Sequence, residues 1–241
     1  MNNSVLVLTI SDLLWAFLPV AVVLWVLHRW TTAAGTAIYA VARMLIQLLL
    51  IGYVLVAIFD SDDPAVILLV LSIMLVAASW IAIRPLGDRR LRVYGNALAA
   101  IVIGGVSTLI IVVRLVIDVE PWFLPRYVVP LAGMIFASSM NTISLAGERF
   151  EAECGRGEAY VDARSTAMQA AMIPLLNSLF AVGLVALPGM MTGQILSGVS
   201  PLIAAKYQIV VMCMIFGASG ISAAVYLALA GRQLNGASRN R

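Results

Sequence analysis

The sequence predicts an all-α integral membrane protein with about seven transmembrane helices, its amino terminus outside and its carboxyl terminus cytoplasmic. Three observations carry this reading. Of the 241 residues, 62% are hydrophobic and only 11% are charged, whereas soluble domains are about half apolar and about a quarter charged. The mean hydropathy of +1.02 is more apolar surface than a soluble fold of this length can hide, so the bilayer is the solvent for most of the chain. Apolar segments recur at roughly 11–28, 37–59, 65–83, 97–117, 127–147, 167–188 and 207–230. At about 1.5 Å per residue, each is long enough to cross a hydrocarbon core ~30 Å thick.

The spans are helical, because an isolated strand leaves backbone groups unpaired in lipid. Outer-membrane strands of about ten alternating residues are absent from the pattern. The first span follows MNNSVLVLTISD, which lacks the basic n-region of a cleaved signal peptide and is read as retained. The second carries Arg43 about two turns from its inner end, with Gln47 one turn further on the same face. It ends in the acidic DSDD at 60–63, and the third span leads to Arg84, Arg89, Arg90 and Arg92. The fourth ends in DVEPWFLPR, with Asp118 and Glu120. The fifth has Gly133 and Ala137 at the small-xxx-small spacing that permits close helix contact, beside Ser138, Ser139, Asn141 and Ser144. The sixth contains Asn177 and Ser178 and ends at Pro188-Gly189. Gly193, Gly198 and Pro201 then interrupt the apolar run, so a turn at the outer face and a short or re-entrant helix precede the seventh span.

Orientation follows from Lys and Arg. With the amino terminus outside, eleven basic residues fall inside: Arg29, Arg84, Arg89, Arg90, Arg92, Arg149, Arg156, Arg164, Arg232, Arg239 and Arg241. Outside are only Arg126 and Lys206, and Arg43 and Arg114 lie within spans. The net charge of +3 reflects this distribution. It shows no basic stripe interleaved with aromatics, which excludes nucleic acid as a partner. Cys154 and Cys213, the two cysteines, form no disulfide framework. The chain reads as a single transmembrane domain over 1–241.

The segment GERFEAECGRGEAYVDARST, 147–166, holds five acidic and three basic side chains and is cytoplasmic on this topology. Phe150, Cys154, Gly157 and Val161 follow one helical face. Gly155 and Gly157 favour a short helix, a bend and a second helix over one rod. A helix lying on anionic lipid is rich in Lys and Arg. Acids outnumber bases here, which points to a protein partner. Glu151-Ala152-Glu153, three residues, then Gly157 resembles the EAA-type loop of ABC transporter permeases, with Glu153 standing where that pattern has Ala.

Three further stretches are similar to the FetB-type ABC transporter permease family: ARMLIQLLLIGYVLVAIF at 42–59, PLAGMIFASSMNTISLA at 130–146 and LPGMMTGQILSGVSPLIAAKYQ at 187–208. The resemblance implies a permease subunit that exports iron or a related metal species, with relatives linked to aluminium tolerance. It implies a permease homodimer in the cell (inner) membrane and a separate ABC ATPase subunit that carries ATP and Mg. The 147–166 segment would be the cytoplasmic coupling loop, with Phe150, Glu151, Ala152, Cys154, Gly155, Gly157 and Glu158 docking the ATPase. Expected residues of the path or gate are Arg43, Gln47, Asn141, Asn177, Pro188, Gly189, Met190 and Met191.

The residues leave alternatives open. Arg43 either snorkels to the inner headgroups or faces the bundle interior with Gln47. The serines and asparagines either pack helices or line a path. The methionines either fill gaps or offer soft ligands, which suit Cu(I) better than iron. No span has a carboxylate near its middle, so the metal ligands are unknown and the iron assignment rests on resemblance. An ion-driven carrier or channel is the alternative function, but such proteins place ionisable groups deep in spans, and only Arg43 approaches this. No GxxxxGK[ST], HExxH or GxSxG occurs, so the chain is not itself an enzyme and binds no cofactor. A cysteine placed at Ser61, in a chain with Cys154 and Cys213 replaced by Ser, is expected to react with an impermeant maleimide only from outside; labelling from the cytoplasm inverts the topology.

Overall fold

The computed structural model of the chain describes residues 9–61 and 63–239. The expectations for the stretch before Thr9, for Asp62 and for Arg241 lie outside the described residues. The chain divides into two units, one ending at Asp60 and one beginning at Ser61.

The first unit is a helical pair. Helix α1 spans Ile10–Trp30 and α2 spans Ala34–Phe59. The Thr9 hydroxyl accepts from the Asp12 amide while the Asp12 carboxylate accepts from the Thr9 amide at 2.8 Å. This capping box satisfies two donors at the helix start. Thr31 closes α1, its hydroxyl donating to the Leu27 carbonyl at 2.9 Å. Both helices expose large apolar side chains around much of their circumference, among them Trp15, Trp25, Leu49 and Tyr53. Such a surface fits lipid rather than water.

The second unit is a bundle. Helix α3 spans Pro64–Ala82, started by Asp63, whose carboxylate accepts from the Ala65 amide at 2.8 Å, and by Pro64 at the first helical position. A 3₁₀ turn, Arg84–Arg89, bends the chain through Gly87 at φ 52°. Helix α4, Arg90–Val116, is one rod interrupted by π turns at Val102–Val106 and Val112–Val116. A π turn displaces carbonyls from the regular ladder; the Thr108 hydroxyl donates to the Gly104 carbonyl at 2.6 Å. Helix α5 spans Pro125–Gly155, α6 spans Tyr160–Ala181, α7 spans Gly189–Leu196 and α8 spans Pro201–Arg239.

Among the described residues there are no strands, and six helices are long and apolar enough to cross a membrane: α1 to α5 and α8. The protein is therefore an all-α, multi-pass membrane protein. The span expected at 167–188 differs. Its helix, α6, begins earlier, inside the charged segment, and stops at Ala181. With Asp162, Arg164, Gln169, Asn177 and Ser178 it falls short of the apolarity of the other six. The charged segment is likewise mostly helical, and only 156–159 are not. Glu and Arg are good helix formers, and they pair here one turn apart.

Helix α5 is central, touching α3, α4, α6 and α8. The α5–α8 contact runs through small residues. The Ser219 hydroxyl donates to the Ser138 hydroxyl at 2.9 Å, and Ser222 to Ser139 at 3.3 Å. Gly104 of α4 presses on the same place: a Cβ there would stand 2.8 Å from the Ala218 carbonyl oxygen and 2.6 Å from the Ser222 amide, and would strike the Ser222 hydroxyl. Helix α6 faces the bundle with an alanine stripe, Ala163, Ala167 and Ala171, all buried. Lipid tails are as apolar as Leu, so helices associate through close packing and interhelical hydrogen bonds. Ser144 adds one, donating to the Ala82 carbonyl at the end of α3 at 2.7 Å. The expected pair Gly133 and Ala137 is not the close contact: a Cβ at Gly133 would meet the Met74 side chain at 3.4 Å, an ordinary van der Waals distance, and Ala137 is exposed.

Gly104→Ala is expected to lower stability by about 1–3 kcal/mol, the typical penalty of overpacking. Ser219→Ala is expected to lower it by about 0.6 kcal/mol, the mean for an intramembrane hydrogen bond. Unfolding in detergent followed by circular dichroism checks the ranking; equal effects would mean that the helices do not meet as closely as the backbone indicates.

Candidate functional site: the α5–α6 turn and the α7 end

The 31 residues of α5 extend ~46 Å at about 1.5 Å each, well beyond a ~30 Å hydrocarbon core. The membrane helix therefore continues without a break into the charged segment. It ends at Gly155 in a Schellman turn: the Glu158 amide bonds the Glu153 carbonyl at 3.2 Å and the Gly157 amide bonds the Cys154 carbonyl at 3.1 Å. The motif needs a left-handed residue just past the cap, and Gly157 supplies it at φ 88°. The acids and bases of the segment have separate jobs. Glu153 is buried and accepts from Arg149, one turn back, and from Arg156 at 3.0 Å. Glu148, Glu158 and Asp162 are exposed, as is Val161.

One ring helps to fasten the turn to the rest of the unit. Tyr160, the first residue of α6, meets Phe150 edge to face with centroids 6.0 Å apart. Its hydroxyl donates to the Leu227 carbonyl of α8 at 3.4 Å, and the Arg164 guanidinium lies 5.3 Å from its centroid. Its edge lies against Gly231, where an added Cβ would strike the ring and stand 2.8 Å from Cδ2. Gly147 and Tyr226 make a similar close contact about one turn inward, at 3.1 Å from a would-be Cβ to the hydroxyl.

Of the expected docking residues, Gly155, Gly157 and Glu158 are exposed at the turn, and Glu151, Ala152 and Cys154 are half-buried. Phe150 is 2% exposed and belongs to the support of the turn. The single helical face expected from Phe150 through Val161 does not form, because the helix ends between them at Gly155. Position by position, helical spacing could not reveal where the Schellman turn falls.

The expected path residues are scattered. Asn141 is exposed midway along α5, and Asn177 is exposed on α6 with Ser178. In the first unit, the Gln47 amide oxygen, oriented toward the guanidinium, accepts from Arg43 Nε at 3.1 Å and Nη2 at 3.3 Å. Arg43 thus has a partner on its own helix. At the other end of the second unit the chain turns through 182–188, and Pro188 caps α7, whose first residues are Gly189, Met190 and Met191. Met190 reaches a cavity of about 300 Å3 that is also lined by Arg126, Met134, Gln194 and Tyr207. Sequence reasoning did not place Arg126, Gln194 or Tyr207 in a site. Nor did it single out Tyr160 and Gly231, which no local pattern connects. Among the described residues no group of three or more His, Cys, Asp or Glu could hold a metal ion.

The profile of the family described as "Uncharacterised protein family (UPF0014)" matches residues 10–163 and 154–235. A Synechocystis protein, "UPF0014 membrane protein slr1647", is 36% identical over 83% of this chain and 83% of its own. The Escherichia coli "Probable iron export permease protein FetB" is 32% identical over 89% of this chain and 88% of its own. The Arabidopsis thaliana "Protein ALUMINUM SENSITIVE 3" is 33% identical over 78% of this chain and 73% of its own. No solved structure matches.

Proposed function

The chain belongs to the UPF0014 family, and on that premise we propose that it is the membrane permease subunit of an ABC transporter in the cell (inner) membrane. Two copies work with two ATPase subunits to export iron or a related metal species. The relative named as an iron export permease supports the direction and the cargo. The observation that carries the coupling role is the construction of the α5–α6 turn. The membrane helix α5 runs unbroken into it and α6 starts directly after it, the Schellman turn gives it one shape, and Tyr160 locks it to α8. A load on the exposed rim at Gly155–Glu158 is then carried into the bundle rather than absorbed by a slack loop. Around the rim Glu148, Glu158 and Asp162 are exposed alongside Arg156 and Arg164, a mixed charged surface that suits a charge-complementary groove on the ATPase.

ATP and Mg are bound by the partner. ATP-driven closure of the two ATPases draws the two turns together and biases the bundle between inward and outward access. It does so only as far as the closed ATPases bind one state more tightly than the other. In this reading the polar faces of α5 and α6 at Asn141, Asn177 and Ser178 line the path or the permease dimer contact, since lipid does not satisfy such groups.

Replacing Glu151 and Glu158 together by Arg is expected to leave the protein in the membrane with its helix content unchanged. It is expected to cut ATP-dependent transport by about tenfold or more, since like charges set against a partner's patch cost several kcal/mol. Paired assays of ATP hydrolysis and transport in proteoliposomes check this; unaltered coupling would remove the turn from the docking role.

A further inference from the structure

The end of the second unit farthest along α5 from the charged turn contains two adjoining cavities, of about 300 Å3 and about 190 Å3, which share Ile117, Tyr207 and Val210. Arg126, in the first turn of α5, lines the larger, and Lys206, in the second turn of α8, lines the smaller. These are the two basic residues that the sequence places on the outer side, far apart in the chain and brought here around one tyrosine. Among the described residues neither has an ion-pair partner. No carboxylate lines either cavity, and Asp118 and Glu120 are exposed on the adjoining 117–124 loop. The start of α5 adds the positive end of a long helix dipole.

The third group is Gln194 of α7, which lines the larger cavity; its Oε1 is buried and has no hydrogen-bond partner. A buried acceptor left unsatisfied is costly, so such an atom waits for a donor. Two cations and one free acceptor define complementary chemistry: an anion that also offers a hydroxyl. A bare metal cation does not fit. The only sulfur ligands here, Met134 and Met190, are soft, and two positive side chains repel it.

We propose that these two adjoining cavities together bind a small hydroxylated oxyanion of the hydroxycarboxylate type, with Arg126 and Lys206 holding its charge and the Gln194 oxygen accepting from its hydroxyl. The proposal deepens the export reading and rests on it: the exported metal species passes this end as a complex held by the anion's own oxygens.

The test uses the full chain in phosphatidylcholine nanodiscs and two radiolabelled probes. One is citrate; the other is tricarballylate, which has the same three carboxylates and no hydroxyl. Citrate is expected to bind saturably and more tightly than tricarballylate. Arg126→Gln and Lys206→Gln are each expected to weaken citrate by about tenfold or more, as for a lost charged hydrogen bond. Arg126→Lys keeps the charge and is expected to retain most of the binding, which separates loss of the site from loss of the fold. Gln194→Met is expected to weaken citrate by about three- to tenfold, as for a neutral hydrogen bond, and to leave tricarballylate unchanged. Absence of saturable citrate binding, or equal binding by all variants, overturns the proposal. So does a thermal stabilisation by phosphatidylglycerol that Arg126→Gln and Lys206→Gln abolish while citrate never binds, since the cations then serve lipid headgroups. No ATPase is needed for this measurement, so its failure leaves the docking role of the charged turn standing, and a failure of docking leaves the binding result standing.

Discussion

The close approach of α5 and α8 is the constraint on which the second unit depends. In lipid the hydrophobic effect does not drive helices together, so the contact is made by shape and by short hydrogen bonds. Ser138, Ser139, Ser219 and Ser222 let the backbones near each other while satisfying their own hydroxyls. Gly104 admits α4 to the same point. Toward the charged turn the pattern changes to glycine against aromatic ring, Gly147 against Tyr226 and Gly231 against Tyr160. Each of these positions has little room for a methyl group. A contact made this way is stiff, because small residues leave no flexible side chain to yield.

Stiffness is what the proposed function requires. Glu153 and the Schellman turn fix the tip, and Tyr160 joins that tip to α8. The larger cavity lies among the beginnings of α5 and α8 and the short α7, so α5, which ends at the charged turn, and α8, which Tyr160 of the turn contacts, also wall the proposed ligand site. A change of packing along α5 and α8 therefore has a direct physical route between the two ends.

Much of this was legible in the sequence because bilayer thickness and the avoidance of charge in lipid leave strong signals. The first five spans and the last were found within a few residues except where helices run past the membrane. The break after Pro188, the short α7 and the restart at Pro201 were legible in glycine and proline. The extension of α5 to Gly155 was not, because hydropathy marks where lipid ends, not where the helix does. Helix α6 was misjudged for the converse reason: its apolar run continues past Ala181, where the helix has already ended. The site was legible only as a segment. That Phe150 supports the turn rather than facing a partner depends on Tyr160 and Gly231, whose contact joins distant parts of the chain. The pairing of Arg126 with Lys206 had a faint signal, as the two basic residues that the sequence expects on the outer side, but nothing in the sequence brings them to adjoining cavities. Gly133 and Ala137 had the right spacing and the wrong face, since the interface also needs hydroxyls that can reach each other.

The central claim is that the charged α5–α6 turn exists to hold an ATPase. The most direct measurement is to extract the protein from its native membranes in mild detergent and identify by mass spectrometry what co-purifies in stoichiometric amount. An ATP-binding subunit is expected, retained by the intact chain and lost when the exposed acids of the turn are reversed. A homogeneous permease with no ATPase partner contradicts it, and would return the turn to a surface element of an ion-driven carrier.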